Sequence, residues 1–298
     1  MKLKNLTIAI AMASLGMTSF AAQAEDGTSF YGSVRIGIEN LENADTTKFR
    51  NWNSRMGFKA ETEVADGLKG FGHYEFGVGT DASDATDPVV STRKAYVGLK
   101  GGFGRVRLGQ DYHTFYNTVI APADVAWVGS TYATGSKGNK TNPGRTGEAL
   151  TYDTTMGAVG VGATVYAGDD KLGDGYEVGA TFNAGPVKLG IGAQDTDGNS
   201  GTAYGVSAGG EMGPAKYGIA FTDHDKTGSA VDVHLGFGGA YVAFGQADLD
   251  AGTKPTGVTL GYTHNIGKKT LAWFEAQKTD NDAGAEETAL RAALKYDF

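Results

Sequence analysis

The sequence predicts an all-β chain, a transmembrane antiparallel β-barrel of about sixteen strands with one long third loop. Three observations carry this. Apolar residues recur at every second position from Tyr31 to Phe298, separated by turn residues. An export leader precedes them. The chain ends on an alternating segment with an aromatic last residue. In that segment Leu290, Ala292, Leu294, Tyr296 and Phe298 take every second position, and Arg291, Lys295 and Asp297 fill three of the four gaps. Successive strand side chains point to opposite faces, so one face is apolar and the other charged. A soluble sandwich can alternate too. The leader, the number of segments and the aromatic end together select a membrane barrel.

The leader comes first in order. Lys2 and Lys4 form a basic start, Leu6 to Phe20 is mostly apolar, and Ala22-Gln23-Ala24 is a small-residue cleavage site. Residues 1–24 read as a signal peptide and residues 25–298 as the barrel. No later stretch approaches the ~20 apolar residues of a spanning helix. In lipid only helices and closed barrels satisfy every backbone polar group internally.

The strands follow as short apolar sets. Val34, Ile36 and Ile38 mark the first, Met56 and Phe58 the second, Tyr74, Phe76 and Val78 the third. Tyr96 belongs to the fourth and Val106 and Leu108 to the fifth. Leu150 and Tyr152 then Val159, Val161 and Val165 follow. The pattern continues through Tyr176, Val187, Tyr204, Tyr217, Val231, Val242 and Val258, then the Leu271–Ala276 segment, to Leu290–Phe298. An even number near sixteen is usual for single-chain bacterial barrels. At about 17 residues per strand and connection, ~9–11 cross the membrane.

Connections alternate in length. Ala65-Asp66-Gly67, Asn183-Ala184-Gly185-Pro186, Glu211-Met212-Gly213-Pro214 and Gly236–Gly239 are Gly-containing hairpin signals. Between them lie polar loops such as Asp169–Gly175, Asp195–Gly201 and Asp248–Gly257. Short turns on one side and long loops on the other are the barrel pattern. Asp111–Gly144 is far longer, at 34 residues, without clear alternation. Its Phe115, Tyr116, Val119, Ile120, Val125 and Trp127 argue that it packs against something, and a barrel lumen is available.

Composition excludes several classes. Glycine is high at 47 residues while proline is only 6, unlike low-complexity disorder, which raises both. Without cysteine there is no disulfide framework and no thiolate metal site. The leader carries two lysines and no acids, so the remainder has a formal charge of −10, against −8 for the whole chain. A nucleic-acid binder would show a basic face. The five histidines lack paired metal-ligand spacing, and no cofactor is expected. Gly205-Val206-Ser207-Ala208-Gly209 matches a nucleophile elbow, but that motif needs a strand-to-helix turn and a hairpin follows here. Gly138-Asn139-Lys140-Thr141 lacks two glycines of a phosphate loop. No enzyme is expected.

The face opposite the apolar set carries the candidate functional residues. Arg35, Arg55, Arg93 and Arg107 fall on the face opposite the apolar set, and Arg145 opens the sixth segment in register opposite Leu150 and Tyr152, so in a barrel all five point inward. Arginine stays charged even when crowded by like charges, and a ring of fixed charge at a narrow point filters solutes. Arg105 and Arg107 also fit the turn-side rim. Asp111 and Asp124 offer counter-charges if the long loop folds inward.

With these residues in place, a family resemblance emerges. Ser54-Arg55-Met56-Gly57-Phe58-Lys59-Ala60-Glu61, Asp66-Gly67-Leu68-Lys69-Gly70-Phe71-Gly72 and Tyr74-Glu75-Phe76 resemble the second and third strands of general trimeric porins of Gram-negative outer membranes. Arg93-Lys94-Ala95-Tyr96-Val97-Gly98-Leu99 and Gly102-Phe103-Gly104-Arg105-Val106-Arg107-Leu108-Gly109-Gln110 resemble the fourth and fifth, and Tyr296-Asp297-Phe298 the assembly signal. The resemblance implies a sixteen-stranded barrel, a homotrimer, a third loop folded into the lumen, and passive diffusion of small hydrophilic solutes and ions. It implies an outer-membrane location in contact with lipid and lipopolysaccharide. Arg55, Arg93 and Arg145 are similar in position to the family's wall arginines. Ser33 occupies the first-strand basic position, with Arg35 two residues on and facing the same way. Pro122-Ala123-Asp124 carries fewer acids than many relatives, which leaves ion preference open. The competing readings are a solute-selective channel on the same barrel, an outer-membrane hydrolase using Ser207, and a soluble exported β-protein.

Overall fold

A computed structural model describes residues 27–42, 45–79, 90–124, 132, 145–167, 174–197 and 201–298. The leader, Val125, Trp127 and the Gly138–Thr141 stretch lie outside the described residues.

Eighteen strands are described, in one antiparallel sheet that closes on itself. They are β1 (Ser29–Leu41), β2 (Thr46–Asn51), β3 (Arg55–Ala65), β4 (Leu68–Val78), β5 (Val90–Gly101) and β6 (Gly104–Tyr112). After the long connection come β7 (Arg145–Thr146), β8 (Ala149–Met156), β9 (Val159–Tyr166), β10 (Gly175–Ala184), β11 (Val187–Thr196) and β12 (Gly201–Met212). The last are β13 (Ala215–His224), β14 (Gly228–Phe237), β15 (Ala240–Leu249), β16 (Thr256–Asn265), β17 (Thr270–Asp280) and β18 (Glu286–Asp297). Two wall positions are each filled by a broken strand. β2 and β3 pair with the two halves of β1, and β7 and β8 both pair with β6. The wall therefore has sixteen staves. It closes where β1 pairs with β18, from Ser33–Asp297 to Leu41–Ala289.

Polarity is inside out relative to a soluble protein. Val97 (61% exposed), Leu260 (59%) and Ile191 (59%) face outward. Thr164, Thr222, Thr259 and Asp232, each 0% exposed, face inward. A soluble chain buries the first group and exposes the second. An apolar outer band over a polar interior is what hydrocarbon demands of a barrel.

Connections show the expected two-sidedness. Two-residue turns at 66–67, 102–103, 157–158, 185–186, 213–214 and 238–239 join strands at one end. Gly213 sits at φ +60, a region that L side chains rarely adopt. The four-residue turn at 266–269 lies at the same end, and the connections that follow β1, β4, β6, β9, β11, β13, β15 and β17 lie at the other.

One strand face differs from the sequence expectation. Simple alternation puts Tyr96 with the outward set. In the fold, the register between β4 and β5 shifts at Glu75–Phe76, and Arg93 is the extra residue of a bulge. Beyond it Lys94 lies opposite Glu75 and Tyr96 opposite His73, both on the inner face. A bulge inserts one residue and so inverts the parity of every later residue in the strand.

Candidate functional site

Charged side chains concentrate on the inner face of β1 to β8. Directly paired residues share a face, so the ladder puts Tyr31, Gly57, Glu75 and Lys94 in one row. Gly57 is what lets the row close. A Cβ there would stand 2.7 Å from the Tyr31 ring, which lies over it. Tyr31 crosses that gap to donate its hydroxyl to Glu75 Oε2 at 2.7 Å, and His73 Nε2 lies 2.6 Å from the Tyr31 Oη. Glu75 Oε1 accepts from Arg93 Nε at 2.9 Å, and Arg55 Nη1 lies 3.9 Å away. Arg35 Nε donates to Ser33 Oγ at 3.0 Å.

A second group lies along β6. Arg107 is buried and pairs with Asp111. Lys94 Nζ lies 3.0 Å from Asp111 Oδ1. Arg107 Nη2 also reaches Asp153 Oδ1 at 3.0 Å, and Arg105 grips the same carboxylate from Nη2 at 2.9 Å. Asp111 belongs to β6, so the long connection begins after it. Its partners are on its own wall.

Arg145 reaches this region by another route. Gly147 and Glu148, the latter at φ +54, separate it from β8, so the β8 alternation does not extend to it. Arg145 Nη1 donates to Tyr112 Oη at 2.5 Å and its guanidinium lies over that ring at 4.7 Å. Tyr112 stacks on Tyr116 with centroids 4.1 Å apart, and Tyr116 Oη donates to Asp124 Oδ2 at 2.9 Å. Arg145 and Asp124 are thus the ends of one chain of contacts.

The start of the long connection, residues 113–124, packs on β9 to β14. It forms a short helical turn at Tyr116–Ile120. Phe115, Val119, Ile120 and Ala123 are buried. The backbone N–H of Phe115 donates to Glu177 Oε2 at 2.7 Å, and Tyr166 Oη donates to Glu177 Oε1 at 2.7 Å. Thr114 and Thr164 hydroxyls are 2.9 Å apart. Burial pushes the His113 imidazole down to about 4, so it is neutral near pH 7. Farther along, His234 Nδ1 lies 2.5 Å from the Ala123 carbonyl, and the Tyr132 N–H donates to Asp232 Oδ1 at 2.7 Å.

Of the sequence candidates, Arg35, Arg55 and Arg93 cluster around Glu75. Arg107 and Asp111 pair beside them, and Arg145 joins Asp124 through two tyrosines. Sequence reasoning missed Tyr31, His73, Glu75, Lys94, Tyr112, Tyr116 and Asp153. Glu75 had a usable signal, since it lies between Tyr74 and Phe76 on the face opposite both. Lys94 was hidden by the bulge. Ser207 lies in mid-β12, paired with Gly190 and Ala220, with a hairpin and no helix after it.

Comparison with known proteins agrees with this architecture. Over 121 residues the chain is 39% identical to a monosaccharide porin of a Halomonas species; the match spans 34% of this chain and 30% of that relative, under a third of its length. An anion-selective porin from Comamonas acidovorans superposes with TM-score 0.72 at 20% identity, covering 92% of this chain and 100% of the other. The in-vitro folded trimer form of OmpT, an outer membrane protein of Vibrio cholerae, superposes with TM-score 0.74 at 16% identity, covering 91% and 99%. At these identities the superpositions bear on the fold alone. The Gram-negative porin family profile matches residues 9–284, nearly the whole described barrel. The chain belongs to the Gram-negative porin family.

Proposed function

We propose that this protein is a water-filled diffusion channel of the outer membrane for small hydrophilic solutes and ions, with residues 113–124 folded into the lumen as its constriction. The observation that carries the reading is the polar, densely charged inner face enclosed by an apolar outer band. The leader read from residues 1–24 supports export through a cleaved signal peptide. A homotrimer in contact with outer-membrane lipid and lipopolysaccharide fits the resemblance of the strands and the trimer form described for OmpT.

In this reading Arg35, Arg55, Arg93, Arg107 and Arg145 line one side of the narrow zone. Asp124 lies on the opposing segment, and Asp111 tempers the basic wall. Ion pairing leaves the wall positive: Lys94 and six arginines (35, 55, 93, 105, 107 and 145) face Glu75, Asp111 and Asp153. Basic groups on one side and Asp124 on the other set up a field across the lumen. Such a field orients water and disfavours bulky apolar solutes. The excess of fixed positive charge favours anions at the constriction, although the chain as a whole is acidic. An anion-selective porin among the structural neighbours fits this preference.

Purified, folded protein in a planar bilayer should give stepwise ohmic conductance, and the reversal potential in a salt gradient should lie on the anion side. No conductance from folded protein would overturn the channel. A cation-side potential would overturn the assignment of the arginines. A second reading, a solute-selective channel on the same barrel, is favoured by the monosaccharide porin among the relatives. It requires saturable block of the current by one sugar class.

A further inference from the structure

The wall beneath residues 113–124 is built differently from the rest of the barrel. Gly162, Gly179, Gly192 and Gly205 are direct ladder partners and form one inward-facing row across β9 to β12. Gly190 and Gly209 widen the cleared area. The segment lies directly on it. A Cβ at Gly190 would overlap the Thr118 carbonyl oxygen, and one at Gly209 the Pro122 carbonyl oxygen. A Cβ at Gly205 would press on Val119 and, at 3.0 Å, on the Phe115 ring. Glycine within a strand often marks close approach by another stretch of backbone. Elsewhere among the described residues, inward glycines are covered differently: Tyr31 lies over Gly57 and Tyr241 over Gly261. A ring can swing aside, whereas a carbonyl can move only if the whole segment moves.

Two buried polar groups flank this cleared patch. Glu177, 2% exposed, holds the Phe115 N–H, and His234, 1% exposed, meets the Ala123 carbonyl. The segment is therefore pinned near both ends, and between them it rests on the glycines and on Ala203, which packs with Phe115, Val119 and Ile120.

We infer that β9 to β14 form a seat that sets the bore: the glycines fix how deep the segment lies, and Glu177 and His234 fix where it begins and ends. These are positioning residues for the constriction, and the inference rests on the proposed channel function. With both ends held, added bulk under the middle drives the segment toward the channel axis. With one end released, the segment wanders.

The test is single-channel recording on protein whose folding is verified by heat-modifiable mobility. Gly190→Ala and Gly205→Val should each lower conductance by a third or more. Glu177→Ala should act in the opposite sense, raising conductance and open-channel noise. Gly236→Ala is the control, since a Cβ there meets nothing nearer than 3.4 Å. Opposite signs from neighbouring strands would not arise from general destabilisation. Folded glycine variants that conduct like the native protein would overturn the seat. A second measurement needs no current. Thr118→Cys with Gly192→Cys should close a disulfide in the folded barrel, because a Cβ at Gly192 would lie 3.0 Å from Thr118 Oγ1. The native chain has no cysteine to compete. Free thiols that stay accessible under oxidation would overturn the seat even in a conducting protein. A native protein that never conducts, with the disulfide formed, would defeat the channel reading and leave the seat standing.

Discussion

Glu75 governs the charge of the basic wall. It takes a hydroxyl from Tyr31 and a guanidinium from Arg93, so a buried carboxylate is held by two donors among surplus arginines. Removing Arg93 leaves Glu75 less compensated and takes one positive charge from the lumen. Two unit charges 4 Å apart interact by about 1 kcal/mol in water, which corresponds to a permeability ratio altered by about fivefold. Arg93→Ala is therefore expected to move the reversal potential toward cations, and Arg93→Lys to move it much less. An unchanged potential in Arg93→Ala removes that residue from the selectivity region. His113 illustrates the reverse economy. Burial keeps it neutral at the start of the segment, beside the Tyr166 ring at 5.0 Å between centroids.

The two-residue hairpins are the elements on which register depends. β12 and β13 meet at Gly213-Pro214, and Met212 pairs with Ala215 directly across the turn. A one-residue slip in either strand would turn the apolar set into the lumen and the polar set into lipid. Gly213 at φ +60 holds that register with no steric cost. A side chain in the left-handed region costs roughly 1–2 kcal/mol. Gly213→Val is expected to lower folding stability by about that amount, read as a lower urea midpoint for refolding into detergent micelles. A midpoint equal to the native value would show that the turn tolerates another conformation. The bulge at Arg93 is the counterpart of the hairpin. It breaks parity in mid-strand and brings Arg93 and Lys94 together on the inner face.

At the scale of the whole molecule, one closed ladder carries two opposed requirements. Outward residues must suit hydrocarbon and inward residues must suit water. Closure removes the sheet edges that either solvent would attack. The seam is completed by the last residue, where Phe298 and Gly32 exchange backbone hydrogen bonds of 3.1 and 3.2 Å. The acidic total charge and the basic inner wall of β1 to β8 coexist because exposed charges act over only about 10 Å at 0.1 M salt. Screening falls to about 3 Å at 1 M. Ion preference should therefore weaken as salt rises, measured as a reversal potential per unit activity ratio that shrinks between dilute and molar KCl. A preference independent of salt would place its origin in direct binding.

Period-two alternation, read together with the leader, the number of segments and the aromatic end, determined the barrel from sequence alone, because in hydrocarbon each residue's face must follow its parity and only a closed sheet can span. The inward placement of Arg35, Arg55 and Arg107 followed from the same parity. Tertiary structure alone decided three things. The bulge at Arg93 turned Tyr96 and Lys94 inward, since a single inserted residue carries no compositional mark. The break at Gly147-Glu148 routed Arg145 through Tyr112. The seat set residues 113–124 against glycines of successive strands far along the chain, and a missing Cβ shows its purpose only when the backbone that fills its space is in view.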